Sequence, residues 1–247
     1  MAARGPLAPA AGRALYRAHL GCGQSSRSAP VCFQAGWGLW LRTMAESGHP
    51  SARAVAHDRL QPLAHMAPNL RPAADLAAGT SAFWLGRLGE AAHYLRLAMS
   101  PAAETALTTP LPEERTPAIA ARGYLGLAWW QLGFPTQGLE LAQRARELAE
   151  QEGPRSDRIA AGSSLALLHL QCGESEPAVD YARESAALAE ASDRPTQASL
   201  ARVLTAWGAV LNGEAPSTSR LWKDCETLAE NGGGLGRASA AWAGWAL

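Results

Sequence analysis

An all-α solenoid of about five antiparallel helix hairpins is the fold this sequence predicts. Three observations predict it. Gly133, Gly173 and Gly213 follow one another at a step of 40 residues (173 − 133 and 213 − 173). Leu148-Ala149-Glu150, Leu188-Ala189-Glu190 and Leu228-Ala229-Glu230 recur at the same step. The composition is rich in Ala and poor in Ile and Val, which favours helix over strand. A fixed period of this size marks a unit too small to bury its apolar face alone, so each unit buries it on the next.

The chain divides into a segment 1–30, expected to be disordered or partly helical, and a repeat domain 31–247 whose last unit is incomplete. Met1 to Gly12 is dominated by Ala, Gly and Pro, and Arg13 to Leu20 has the length of one short helix. Val31 to Ser47 is the first clear helix, with Phe33, Trp37, Trp40, Leu41 and Met44. Its partner runs from Ser51 to near Met66, and Pro62 inside it should kink or shorten it. Leu70 to Leu85 and Gly89 to Met99 form the second hairpin. Ser100 to Thr116, with Pro101, Pro110 and Pro112, is the longest internal loop. Ile119 to Leu132 pairs with Thr136 to Gln151, Ser156 to Cys172 with Ser175 to Ala191, and Gln197 to Leu211 with Ser217 to Glu230. After the joint Gly232-Gly233-Gly234, Arg237 to Leu247 reads as a first helix without its second.

One hairpin shows the physics. Leu125, Leu127, Ala128, Trp129 and Leu132 crowd one helix, and Gly133 ends it, as a residue tolerant of positive φ does at a helix C-terminus. Pro135 opens the next helix, where no N–H partner is needed. Leu139, Ala142, Ala145, Leu148 and Ala149 then form one apolar stripe. Arg144, Arg146, Glu147 and Glu150 lie off it and read as a solvated face. Small residues stand seven places before the turn glycines (Gly79, Gly126, Ala166, Ala206) and five places after them (Ala91, Gly138, Ala178, Thr218). Matched small side chains on two helices permit close backbone approach. With this pattern the unit resembles the tetratricopeptide repeat, although it is longer than the usual unit of about 34 residues. That resemblance implies a right-handed superhelix with first helices lining the concave face.

A narrower resemblance rests on blocks in order. They are Trp37-Gly38-Leu39-Trp40, Phe83-Trp84-Leu85-Gly86, Leu132 to Leu139 with Gly133-Phe134-Pro135-Thr136-Gln137-Gly138 between, and Leu235-Gly236-Arg237. From Phe33 onward the chain resembles the repeat array found C-terminal to the ATPase module of bacterial signalling ATPases, often fused to class III adenylate or guanylate cyclase domains. The resemblance implies a regulatory or scaffolding segment and a protein or peptide partner, such as another domain or subunit of a signalling ATPase. It does not imply cyclase activity, because the sequence carries neither a cyclase nor a P-loop domain.

The residues themselves exclude most chemistry. Lys223, the only lysine, is followed by Asp224 and preceded by no glycine-rich loop, so there is no P-loop. Gly232 to Gly236 follows no strand and does not fit a dinucleotide fingerprint. The six histidines form no HExxH pair. His57 and His65 lie two turns apart and read as surface residues, and His169 as a satisfied core polar group. Cys22, Cys32, Cys172 and Cys225 lack zinc-finger spacing, and Cys172 and Cys225 read as small core residues in a reducing compartment. Net charge is +0, which points away from nucleic acid and anionic membrane. The expectation is a cytoplasmic non-enzyme with no cofactor and no metal.

Tryptophan is the unusual feature. Eight of the nine tryptophans, all but Trp222, fall in first helices. Two readings stand open: rings that fill the core between hairpins, or rings that line a groove and anchor a partner. The candidates for the groove are Trp84, Trp130, Gln131, Gln171 and Trp207, whereas Trp129 points into the stack. A long open groove would serve a peptide; a closed pocket at Trp130, Gln131 and Gln171 would make the chain a sensor of a small effector. Trp242 and Trp245 lie on one side of the last helix and are the candidate end interface for self-association.

Overall fold

The computed structural model describes residues 29–46, 49–100, 116–151 and 153–231. The expectations for the first 28 residues, for the loop 101–115, for Gly232 to Gly234, and for the last helix with the end interface of Trp242 and Trp245 lie outside them. The described residues form helices and no strand. In order these are α1 (Ala29–Glu46), α2 (His49–Val55 continuing through Ala56–Leu60 to Gln61–Met66), α3 (Arg71–Trp84) and α4 (Leu88–Leu97). There follow α5 (Pro117–Gln131), α6 (Pro135–Gln151), α7 (Arg155–Gln171), α8 (Ser175–Ala191), α9 (Pro195–Leu211) and α10 (Thr218–Asn231). Consecutive helices pair as hairpins, as the 40-residue step requires. First helices touch one another, α3 on α5, α5 on α7 and α7 on α9, and each of α4, α6 and α8 packs on the first helix that follows it. The result is a two-layered solenoid.

The turn glycines act as the sequence predicts. Gly133 has φ +90°; its N–H donates to Trp130 O at 3.1 Å, and the Phe134 N–H donates to Trp129 O at 2.9 Å. This pair of bonds satisfies carbonyls that the helix end leaves open, and it requires the left-handed conformation. Gly86, Gly173 and Gly213 repeat it. The turn from α8 to α9 uses Asp193 instead, at φ 51°, with the Arg194 N–H donating to Ala189 O at 3.0 Å. Asp is among the few side chains that enter this region readily.

In the third hairpin the matched small residues meet. A Cβ placed on Gly126 would stand 2.7 Å from Gly138 O, and one on Gly138 would stand 2.6 Å from Gly126 O. Backbones of α5 and α6 are thus in direct contact, which a side chain on either glycine would prevent.

Pro62 neither ends α2 nor shortens it. The helix widens into a π turn at Ala56–Leu60, where the Gln61 N–H donates to Ala56 O, and then resumes. The proline ring crowds the carbonyl four residues back, and the wider turn moves that carbonyl aside. Ala56 and Leu60 stay fully buried, so the apolar face is kept.

One core cluster runs through the hairpins from Phe33 to Leu204. Leu60, Leu95, Leu125, Leu165, Leu168 and Leu204 are its fully buried leucines, each worth about 1.5–3 kcal/mol of burial. Trp37 stacks on Phe33 at 6.2 Å between ring centroids, and Trp40 donates from Nε1 to Ser81 Oγ at 2.9 Å. These two tryptophans are core.

Candidate functional site

The strongest polar constellations lie between successive hairpins. Arg146, which the sequence reading places on a solvated face, is 5% exposed. Its Nε donates to Glu150 Oε1 at 2.6 Å, and its Nη2 donates to both oxygens of Glu184 at 2.6 and 2.7 Å. Its guanidinium also lies 5.7 Å from the Tyr181 ring centre. Glu150 belongs to α6 and Glu184 to α8, so one side chain ties two second helices across α7. Space for it comes from Gly162 on α7. A Cβ there would stand 3.0 Å from Arg146 Nη1 and would overlap Ser185 Oγ. Burial disfavours the charge on Arg146, but the hydrogen bonds of Glu184 and Glu150 more than offset it and raise its pKa.

Advancing by one period, 146 becomes Ala186, 162 becomes Arg202, 150 becomes Glu190 and 184 becomes Asp224. Both carboxylates are kept; the arginine and the small residue have changed places. Arg202 Nε donates to Asp224 Oδ2 at 2.9 Å and Nη1 donates to Glu190 Oε1 at 2.7 Å. Asp224 also accepts from Ser199 Oγ at 3.0 Å. The hydrogen bond of Asp224 raises the Arg202 pKa, against burial, with Asp224 charge and Glu190 adding to the rise. Here the guanidinium comes from the first helix α9. Burial of the neighbouring Cys225, and then the charge of Asp224, pushes up the pKa of that thiol. These clasps are ion pairs that hold a geometry; Arg202 donates from all three of its nitrogens, whereas Arg146 Nη1 is buried without a hydrogen-bond partner.

The groove candidates fall on three register positions. Trp84, Gln131 and Gln171 each stand two places before a turn glycine (86 − 84, 133 − 131, 173 − 171). Gln131 is exposed, whereas Trp84 and Gln171 are half-buried. Trp84 stacks on His49 of α2 at 5.7 Å. Trp130 and Trp207 are half-buried and pack against the main core, as Trp129 does, with the Arg96 guanidinium 5.5 Å from the Trp129 ring centre. Trp222 is 62% exposed on α10 and donates from Nε1 to Glu226 at 2.8 Å.

Several other polar side chains have local partners. His169 stacks on Tyr181 at 5.7 Å and its Nδ1 lies 2.6 Å from Glu174. His57 packs its edge on Tyr94, and His65 lies beside Arg71, so the two histidines do not converge. Buried Asp75 accepts from Gln61 and Arg71. Burial opposes ionisation of Glu90, but Arg53 and then Arg87 hold its carboxyl below the usual range. Cys32 is buried, and Cys172 and Cys225 are half-buried. No group of three or more His, Cys, Asp or Glu gathers to hold a metal among the described residues. No described helix is long and apolar enough to cross a membrane.

The sequence matches no protein-family profile and no curated protein. The fold does match solved structures. One is the crystal structure of nearly identical TPR-like repeats of a putative kinesin light chain from Podosopora anserina, with a TM-score of 0.52. It is 16% identical, over 88% of this chain and 98% of that chain. A variant of the same protein gives a TM-score of 0.51 at 16% identity, over 89% and 99% of the two chains. At such identity the likeness shows the fold, a tetratricopeptide-like solenoid, and nothing finer.

Proposed function

We propose that this chain is a non-catalytic protein-interaction scaffold, the regulatory repeat segment that works with a bacterial signalling ATPase or cyclase in the cytoplasm. The observation that carries the scaffold reading is the stack of tetratricopeptide-like hairpins, whose packed first helices offer one continuous surface to an extended partner. The ordered blocks from Trp37 to Arg237 support the ATPase connection. Trp84, Trp130, Gln131, Gln171 and Trp207 are the proposed contact residues. Gln131 is the exposed one, so a photo-crosslinking amino acid placed there leaves the fold intact. Irradiated in the source cells, it should capture an ATPase, kinase or cyclase subunit identifiable by mass spectrometry. The absence of any partner above the unirradiated control would contradict the scaffold reading, and a partner of another class would contradict the ATPase connection.

A further inference from the structure

The exchange of Arg146 for Ala186 leaves space at the later junction. A cleft of about 360 Å³ lies between α8, α9 and α10. Ala186, Ala206, Ala209 and Leu221 give it an apolar lining. Arg202 is at its side, already engaged by Asp224 and Glu190. Two more guanidinium groups line it, Arg183 from α8 and Arg220 from the first turn of α10. Among the described residues neither has a hydrogen bond, ion pair or ring contact.

Register brings these two to one end. Arg220 less one period is position 180, one helical turn from Arg183 on α8. The second helices of successive units run in the same direction, so Arg183 and Arg220 occupy neighbouring levels. Pro216 and Ser217, at the start of the 14-residue α10, line the same end. A helix start adds partial positive charge there. Glu190, ten residues past position 180, lies at the other end. The cleft therefore has the two guanidinium groups of Arg183 and Arg220 at one end, with Asp224 near them but held by Arg202, an apolar floor, and Glu190 at the other end.

We propose that this cleft binds an acidic peptide segment, in which carboxylates meet Arg183 and Arg220, small apolar residues cover the alanines, and a basic residue approaches Glu190. Guanidinium–carboxylate pairing supplies the recognition. The volume is at the small end of ligand sites, roughly 300–1,000 Å³, and exceeds a lone oxyanion. A polyanion would meet Glu190 and Asp224 and be repelled. The proposal rests on the interaction-scaffold reading and names a partner chemistry for it.

The test is fluorescence anisotropy of the full chain with a labelled peptide EEAAK, the charge-reversed KKAAE, and inorganic pyrophosphate as competitor. Saturable binding of EEAAK is expected, weakened at least about tenfold in the R183Q/R220Q double variant, the loss of about 1.4 kcal/mol. Both arginines are exposed, so helicity should not change. Ala186→Arg adds positive charge yet refills the cleft as Arg146 fills its own, and should also abolish binding. Equal binding of KKAAE, indifference to R183Q/R220Q, tighter binding by Ala186→Arg, or displacement by less pyrophosphate than unlabelled EEAAK would each overturn the proposal. A chain that ignores EEAAK but captures a partner through Gln131 loses this site and keeps the scaffold reading.

Discussion

The junction between the third and fourth hairpins and the junction between the fourth and fifth solve one problem from opposite sides. Each presents two carboxylates on successive second helices, Glu150 and Glu184 in the first, Glu190 and Asp224 in the second. In the first the arginine is on the second helix and the residue facing it is Gly162. In the second the arginine is on the first helix and the residue facing it is Ala186. What the repeat preserves is a place for a guanidinium between two carboxylates, and not the residue that supplies it. The difference has consequences. Arg146 fills its junction, whereas Arg202 leaves a cleft beside it. The remaining carboxylates also differ: Asp224 has a side chain 7% exposed and Glu184 one 42% exposed.

The largest expected effect follows from that burial. Arg202→Ala strands a buried carboxylate with Ser199 as its remaining donor, and should cost about 3 kcal/mol. Because solenoid stability is a sum over neighbouring units, the loss should appear first as faster amide exchange in α10. Arg146→Ala should cost less, about 2 kcal/mol, since Glu150 and Glu184 regain water. Urea denaturation of the two variants gives the order; a larger loss for Arg146→Ala would break the comparison. Within the third hairpin, Gly126→Ala should cost about 1–3 kcal/mol by overpacking against the Gly138 carbonyl. The same measurement checks it, and a neutral result would mean that α5 and α6 can separate at little cost.

A smaller effect concerns thiol reactivity. Cys225 occupies the place of Ser185 one period on. Burial, then the Asp224 charge, pushes its pKa up, so alkylation by iodoacetamide at pH 8 should be slow beside a free thiol. Ser185→Cys, at a fully buried site, should react more slowly still. Site-resolved mass spectrometry reads both rates, and a Ser185→Cys thiol faster than Cys225 would show that the earlier junction is the more open one.

Much of this was legible in the sequence. The turn glycines, the paired small residues and the hairpin order follow from spacing alone, because a left-handed cap and a backbone contact restrict one position to one or two residue types. The helix starts at Pro117 and Pro195 each fall two residues earlier than the apolar pattern indicates, since a first-turn proline contributes no periodic signal. The clasps were not read. Arg146 sits among Arg144, Glu147 and Glu150, where helical spacing alone makes every charge look solvated. Its burial depends on a glycine 16 residues away (162 − 146) on another helix. Aligning the repeats and asking where an arginine in one unit is answered by a small residue in the next is the signal that would have found it.

The exchange itself can be built at the earlier junction. Arg146→Ala/Gly162→Arg moves the guanidinium to α7, as in the later junction, and Arg146→Ala/Gly162→Ala carries the same new Cβ without it. The difference in their urea unfolding free energies isolates the moved guanidinium from the overlap with Ser185 that both share. If the place between the carboxylates is what matters, the arginine form is more stable by about 1–2 kcal/mol, the value of restored charged hydrogen bonds. Equal stability, or a less stable arginine form, would contradict the account.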